Sequence, residues 1–329
     1  VTIAFPSHNR RHTRVRLRRS NHARKCPICQ GQGCGQADGI TLCWRVSSDK
    51  QAKSGAFIHT GNGQPVAVKQ ELVKPETLRA SIERRHQIYS ALLSILPLSG
   101  HHADHLAEVR NLSEETITNS QFASVPSRED GDWLAQQFAK QSELSGIPGF
   151  WKRYEFWVMR FSGTPGFFIP IRNLLGQVEA LEIRRDGEAS PKYLLFSSTD
   201  LPSGCSSGAP AHFARVTPTS PSLIITEGIL KAYVISERLN VPVVGLVGAG
   251  TFPDSFGKTL RRQIPTLRRV LIAYDHPDRE ASDRARGNTR AQLERLSESL
   301  GSAGISSESL TWDPARGKGF DDYLLEVAN

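Results

Sequence analysis

SLIIT (222–226), GILKAYVISERLN (228–240), VPVVGLVG (241–248) and RVLIAY (269–274) are the segments whose reading decides the fold. The first, third and fourth are apolar runs of strand length. The second repeats its apolar residues at helical spacing. Apolar strands without polar alternation, joined by helices, mark a parallel sheet covered on both faces. A further long helix is expected from about Ala281 to Ala303, with Ala291, Leu293, Leu296 and Leu300 on its apolar side. A short Gly-turned tail follows. The expected class is α/β, and in such sheets ligands bind beyond the carboxyl ends of the strands.

Acids occupy those ends. Glu227 follows the first strand and precedes Gly228. Asp275 follows the third, with Asp278 three residues later in YDHPDR, and Asp283 stays open as an alternative to Asp278. GKGFDDYL (317–324) places Asp321 and Asp322 after a turn at Gly317 and Gly319. One such acid alone is ordinarily a helix cap or a turn residue. Several at successive strand ends repel one another unless a cation sits among them. Mg²⁺ takes carboxylate oxygens and leaves room for substrate phosphate, an arrangement that suits phosphoryl transfer.

Far upstream, Cys26, Cys29, Cys34 and Cys43 fall in the spacing C-x2-C-x4-C-x8-C. Four thiolates suit a closed tetrahedral Zn²⁺ site. The irregular second pair leaves His22 or His59 open in place of Cys34, and an iron–sulfur cluster is the lesser alternative. Cys205 lies alone in a Ser/Gly stretch and reads as incidental. Clustered cysteines in a chain otherwise poor in them read as metal ligands in a reducing, cytoplasmic setting.

The composition is globular: 38% apolar and 22% charged over 329 residues. No run of 18 apolar residues and no signal-type apolar segment occurs, so no membrane association is expected. Lys and Arg number 41 against 33 acids, a net charge of +8. Residues 1–25 hold Arg10, Arg11, Arg14, Arg16, Arg18, Arg19, Arg24 and Lys25 with no acid, which accounts for that excess. A basic arm points to a polyanionic partner. The expected organisation is a disordered basic arm (1–25), a zinc ribbon (26–60), a helical connector (61–150), a mixed α+β basic subdomain (151–221) and the α/β domain (222–329). Along the chain, helices are expected at about Pro75–Leu93 and Asp132–Leu144, a hairpin around Asn173–Gly176, and a linker or mobile loop over 199–222.

LIITEGILKA (223–232), VLIAYDHPDR (270–279) and GKGFDDYL together resemble a TOPRIM domain, the Rossmann-like fold of bacterial primases, topoisomerases and some nucleases. The resemblance implies that Glu227 acts as general acid/base or metal neighbour, and that Asp275, Asp278 and Asp321 join it in holding Mg²⁺ or Mn²⁺. Asp-His-Pro-Asp is one residue longer than the family's Asp-x-Asp. Lys231 matches a position often basic in the family and is expected to reach a phosphate.

FFIPIRNLLGQVEALEIRRDGEASPKYLLFSS (167–198) is similar to the basic subdomain that precedes TOPRIM in DnaG-type primases. Arg184, Lys192 and Tyr193 match its nucleotide- and DNA-binding residues, while Leu195, Phe196 and Ser197 replace its Asn-Ser-Pro. Arg suits bidentate phosphate recognition and Lys a point contact. With HADHLAEVRNLSEETI (102–117) and GIPGF (146–150), the chain resembles the primase-like part of replication proteins of phages, plasmids and integrative elements. The implied function is DNA primase, with single-stranded template and NTPs as partners. No GxxxxGK[ST] helicase loop occurs, so a replicative helicase is expected on another chain. The competing readings are a TOPRIM nuclease and a catalytically degenerate replication-initiator module that only binds DNA.

Overall fold

A computed structural model describes residues 2–4, 14–16, 18–19, 25–31, 34–37, 40–43, 45–46, 48, 56–60, 78–276 and 283–327. The chain forms two compact units, 1–76 and 77–329.

In the first unit β1 (Thr2–Ala4) pairs antiparallel with β2 (Arg14–Arg16). A second antiparallel sheet runs β3 (Arg18–Arg19), β4 (Gly35–Ala37), β5 (Ile40–Cys43) and β6 (Phe57–Thr60). The arm expected to be disordered therefore carries three short strands. Backbone pairing satisfies their N–H and C=O groups whatever charge the side chains bear.

The second unit opens with α1 (Ile82–Ile95), α2 (Gly100–Asp104), a π-helical turn over His105–Val109, α3 (Glu114–Ser120), β7 (Ala123–Ser124) and α4 (Arg128–Gln141). Serine caps set these helix starts. Ser81, Ser113 and Ser127 each accept, through Oγ, the backbone N–H three residues on, at 3.3, 3.2 and 3.1 Å. Hence α1 begins well after Pro75, and Leu78, expected on its apolar face, is 89% exposed. For the same reason α4 starts before Asp132, and Leu144 lies beyond it, still buried.

Strands β8 (Phe150–Arg153) and β9 (Phe156–Met159) form a hairpin. Then β10 (Gly166–Arg172) and β11 (Val178–Arg185) pair around the expected Asn173–Gly176 turn, joined by β12 (Tyr193–Leu195). The resulting antiparallel sheet has the order β12-β11-β10-β7. Its two faces follow from strand alternation. Phe168, Leu181 and Ile183 pack with Tyr89, Leu92, Leu134 and Phe138 of α1 and α4. Phe167, Ile169 and Ile171 face the other way.

The remaining elements are β13 (Ala211–Ala214), β14 (Ser222–Glu227), α5 (Ile229–Leu239), β15 (Val243–Leu246), α6 (Phe256–Gln263), β16 (Arg269–Ala273), α7 (Asp283–Gly301), β17 (Ser306–Ser309) and α8 (Phe320–Val327). Their sheet has the order β13-β15-β14-β16-β17. β14 is parallel to β15 and to β16, β16 is parallel to β17, and β13 is antiparallel. Ile229, Leu230, Tyr233 and Val234 of α5 bury against Phe167, Ile169 and Ile171, so this one helix joins the two sheets. Each large apolar side chain buried there contributes roughly 1.5–3 kcal/mol.

Three sequence expectations change. The 199–222 stretch is no free linker: it supplies β13, and Cys205 and Ser207 are buried. Cys205 N–H donates to Ser198 Oγ at 3.1 Å, and Ser207 Oγ to the Phe196 carbonyl at 2.8 Å. The interval before β16 holds α6, whose Phe256 and Leu260 are buried. The tail holds β17, an edge strand of polar residues without hydrophobic alternation, and α8. No helix among the described residues is long and apolar enough to cross a membrane.

Candidate functional site

The carboxyl end of β14 is shaped by Gly228. Its φ of 95° lies in the region that favours glycine, and its N–H donates to the Leu246 carbonyl at 2.6 Å. The chain therefore turns into α5 directly after Glu227. Thr226 Oγ1 donates to the Ala273 carbonyl at 3.1 Å, so β14 and β16 end level and bring Glu227 to Asp275. His276 N–H donates to the Lys318 carbonyl at 3.0 Å, drawing in the loop before α8. Trp312 braces that loop, donating through Nε1 to the Gly317 carbonyl at 2.8 Å with its ring against His276. α8 then starts with Asp321 fully buried.

At the centre sits the ammonium of Lys231, one turn into α5. It pairs closely with Asp275 Oδ1 and lies 3.8 Å from Asp321 Oδ1. Arg110 Nη1 lies 3.1 Å from Asp321 Oδ2 and 3.5 Å from Asp322 Oδ1. Burial, then the neighbouring Asp275 charge, pushes the Glu227 carboxyl up to about 7, against the pull of Lys231. Burial also raises Asp321. For Lys231, burial works downward, but Asp321, Asp275 and Glu227 outweigh it and hold the ammonium charged.

This pocket fits a hard divalent ion. Asp321 Oδ1 is buried without a hydrogen-bond partner. Gly319 lets the loop approach the acids closely: a Cβ there would lie 2.4 Å from Asp321 Oδ1, 2.9 Å from Lys231 Nζ and 3.1 Å from Asp275 Oδ1. A crowd of carboxylates with a raised proton affinity is a set that a divalent cation relieves. Asp278 lies outside the described residues.

A basic wall adjoins the acids. Arg184 and Tyr193 are register partners on β11 and β12, and Arg184 lies 5.7 Å from the Phe167 ring. The Lys192 ammonium donates to the Gly187 carbonyl. Burial first, then the Arg184, Arg110 and Lys192 charges, pushes His105 down to about 4. Burial and the Arg184 and Arg110 charges also lower Lys192. Arg110 thus belongs to both the wall and the acidic pocket. It was not singled out from sequence, because it lies in a polar connector with no strand-end or glycine-turn signal.

In the first unit the four cysteine Sγ atoms lie within 4.8 Å of one another. Cys29 and Cys34 are 3.7 Å apart, and Cys34 and Cys43 4.0 Å. Four sulfurs at 2.3 Å from one Zn²⁺ lie about 3.8 Å apart, so the donor set fits. Cys26 N–H donates to the Gly31 carbonyl at 2.9 Å, and Arg45 and Val46 N–H donate to Cys43 Sγ at 3.4 and 3.3 Å, forming two knuckles. Burial opposes ionisation of Cys29, but the Gly31 N–H, Arg45 and the neighbouring thiols bring it down to about 7. His59 is not a ligand: its Nε2 bonds the Val46 carbonyl at 3.0 Å. His22 lies outside the described residues.

A family model described as a domain of unknown function, DUF3854, matches residues 215–329. No curated protein matches the chain. Among solved structures, the zinc-binding and RNA polymerase domains of Aquifex aeolicus primase align at a TM-score of 0.54 with 16% identity, over 75% of this chain and 59% of that one. The DnaG catalytic core aligns at 0.52 with 18% identity, over 73% and 79%. The RNA polymerase domain of Mycobacterium tuberculosis DnaG, in complex with double-stranded DNA, aligns at 0.50 with 17% identity, over 75% and 80%. The fold is that of DnaG primase domains, and the four-cysteine cluster fits a zinc ribbon.

Proposed function

We propose that the chain is a DNA primase that synthesises short primers on single-stranded DNA, in the replication of a phage or other mobile element. The observation that carries this reading is the junction at Arg110, where a pocket of Glu227, Asp275 and Asp321 meets a wall of Arg184, Lys192 and Tyr193. In this reading residues 222–329 are a TOPRIM domain and the cysteines hold structural Zn²⁺ that shapes a template-binding ribbon. Glu227, Asp275 and Asp321, with Asp278, hold Mg²⁺ or Mn²⁺, which when bound neutralises charge on the phosphates.

The chain's own groups supply the rest. Arg184 and Lys192 hold nucleotide phosphates, and Lys231 and Arg110 balance the pocket's carboxylates. Glu227 accepts the proton of a primer 3′-OH as that oxygen attacks the α-phosphate and pyrophosphate leaves. Most of the rate comes from positioning and preorganised charge.

Labelled single-stranded DNA with Mg²⁺ or Mn²⁺, with and without NTPs, tests the reading. Products that appear only with NTPs support it. Asp275→Asn is expected to abolish them while DNA binding stays, and full synthesis by that variant removes Asp275 from the metal site. Shortening without NTPs makes the chain a nuclease. DNA binding with no product makes it the non-polymerising module that the lengthened Asp-His-Pro-Asp spacing also permits.

A further inference from the structure

We propose that the β8–β9 hairpin and the adjoining α4 form a stacking platform for single-stranded DNA, sharing no residue with the acidic pocket or the basic wall. The inference rests on the primase reading only for the strand's role as template. Among the described residues, the exposed Phe, Tyr and Trp side chains are Tyr154 at 89%, Phe156 at 62% and Trp133 at 59%. All three belong to this one region. Tyr154 stands at the hairpin tip, Phe156 opens β9, and Trp133 lies on α4. The helix meets the hairpin through Asp132, 3.4 Å from Arg153.

Register fixes what the hairpin presents. Arg153 pairs with Phe156 and Trp151 with Val158, so Trp151, Arg153 and Phe156 share one face. Lys152 and Trp157 share the other. The Arg153 guanidinium lies 5.5 Å from the Trp151 ring, and the Lys152 ammonium 5.5 Å from the Trp157 ring. Each cation therefore stands beside a π face. A single strand calls for that combination, since rings stack its bases and neighbouring cations meet its phosphates. Residues 150–160 carry Lys152, Arg153 and Arg160 against Glu155 alone, a net of +2. The nearby Asp132 is already engaged by Arg153. Bases in a duplex stack on one another, so such a platform selects unpaired strands.

Tyr154 is kept at a conformational cost. Its φ is 57°, in the left-handed region where a two-residue hairpin turn ordinarily carries Gly, Asn or Asp. A ring this exposed recovers little of that cost by packing within the fold. Strain held at an exposed position points to a function, and a ring at a hairpin tip is placed to stack on a base.

The full chain is mixed with fluorescein-labelled oligo(dT), or with a duplex of the same length, and binding is read by anisotropy. Tyr154→Gly and Phe156→Ala are each expected to weaken oligo(dT) binding about tenfold and to leave duplex binding unchanged. Glycine suits the turn, so Tyr154→Gly is expected to melt no lower than the unaltered chain. Ultraviolet cross-linking to oligo(dT) is expected to mark residues 151–157. Unchanged oligo(dT) affinity in both variants overturns the platform, and so does cross-linking confined to other segments. Equal loss for oligo(dT) and duplex also overturns it, because the patch then attracts phosphates alone. Self-association that both variants abolish, with oligo(dT) binding intact, assigns the face to a protein contact instead. Primer synthesis is scored separately: its absence from a chain that cross-links at the hairpin sinks the primase reading and leaves the platform standing.

Discussion

Gly319→Ala tests the acidic pocket sterically without changing a charge. Gly319 is outside the left-handed region, so its backbone accepts a side chain. The added Cβ would lie 2.4 Å from Asp321 Oδ1. Ordinary contact begins near 3.4 Å, so that oxygen must retreat by about 1 Å. It has little room, because Asp321 is fully buried and its other oxygen is held by Arg110 at 3.1 Å. Overpacking of this kind costs about 1–3 kcal/mol of stability. A displacement of about 1 Å in a catalytic constellation costs on the order of 100-fold in rate. Primer synthesis on single-stranded DNA with Mn²⁺ reads the rate, and a thermal melt reads the fold. Gly301→Ala, with nothing within 4 Å of the new Cβ, is the control expected to leave both unchanged. Undiminished synthesis by folded Gly319→Ala would show that the close approach of Gly319 to Asp275, Lys231 and Asp321 plays no part in catalysis.

Glu227 predicts a pH dependence: its carboxyl, raised to about 7, favours the folded state when protonated, so that stability contribution is lost as pH rises from about 4.5 through 7. Divalent-ion affinity should strengthen over the same window, and Glu227→Gln should flatten both profiles in melts and metal titrations. Arg110→Met strips a buried carboxylate of its partner and should cost about 3–5 kcal/mol, with Asp321→Asn in the same chain recovering part of it; an unchanged denaturation midpoint would count against the pair. Cys26→Ser should lower bound zinc by one equivalent and abolish ordered β4–β6 signals in NMR spectra; retained zinc would remove Cys26 from the ligand set.

Much of the α/β sheet was legible because its central strands are mostly apolar and acids stand at their ends. β14, β15, β16, α5 and α7 lie close to their expected positions. β13, α6 and β17 were not legible. β13 is an antiparallel edge strand in a Ser/Pro/Gly-rich stretch, and β17 is polar at every position, so each owes its state to the neighbour it pairs with. Among site residues, Glu227, Asp275, Asp321 and Lys231 were marked by their distance from a strand end or a glycine turn. Arg110 carried no such mark.

The order of residues by itself determined which candidate groups stand together: four cysteines in one short window, acids after apolar strands, and Arg184 and Lys192 flanking a hairpin. Local spacing suffices there, since strand, turn and knuckle each span only a few residues. Only the tertiary structure decided that Lys231 would settle between Asp275 and Asp321, and that Arg110 would reach Asp321 across 211 positions of chain. The Arg110 contact depends on Leu106 and α5 burying against β10, a long-range apolar packing with no signature in any single segment.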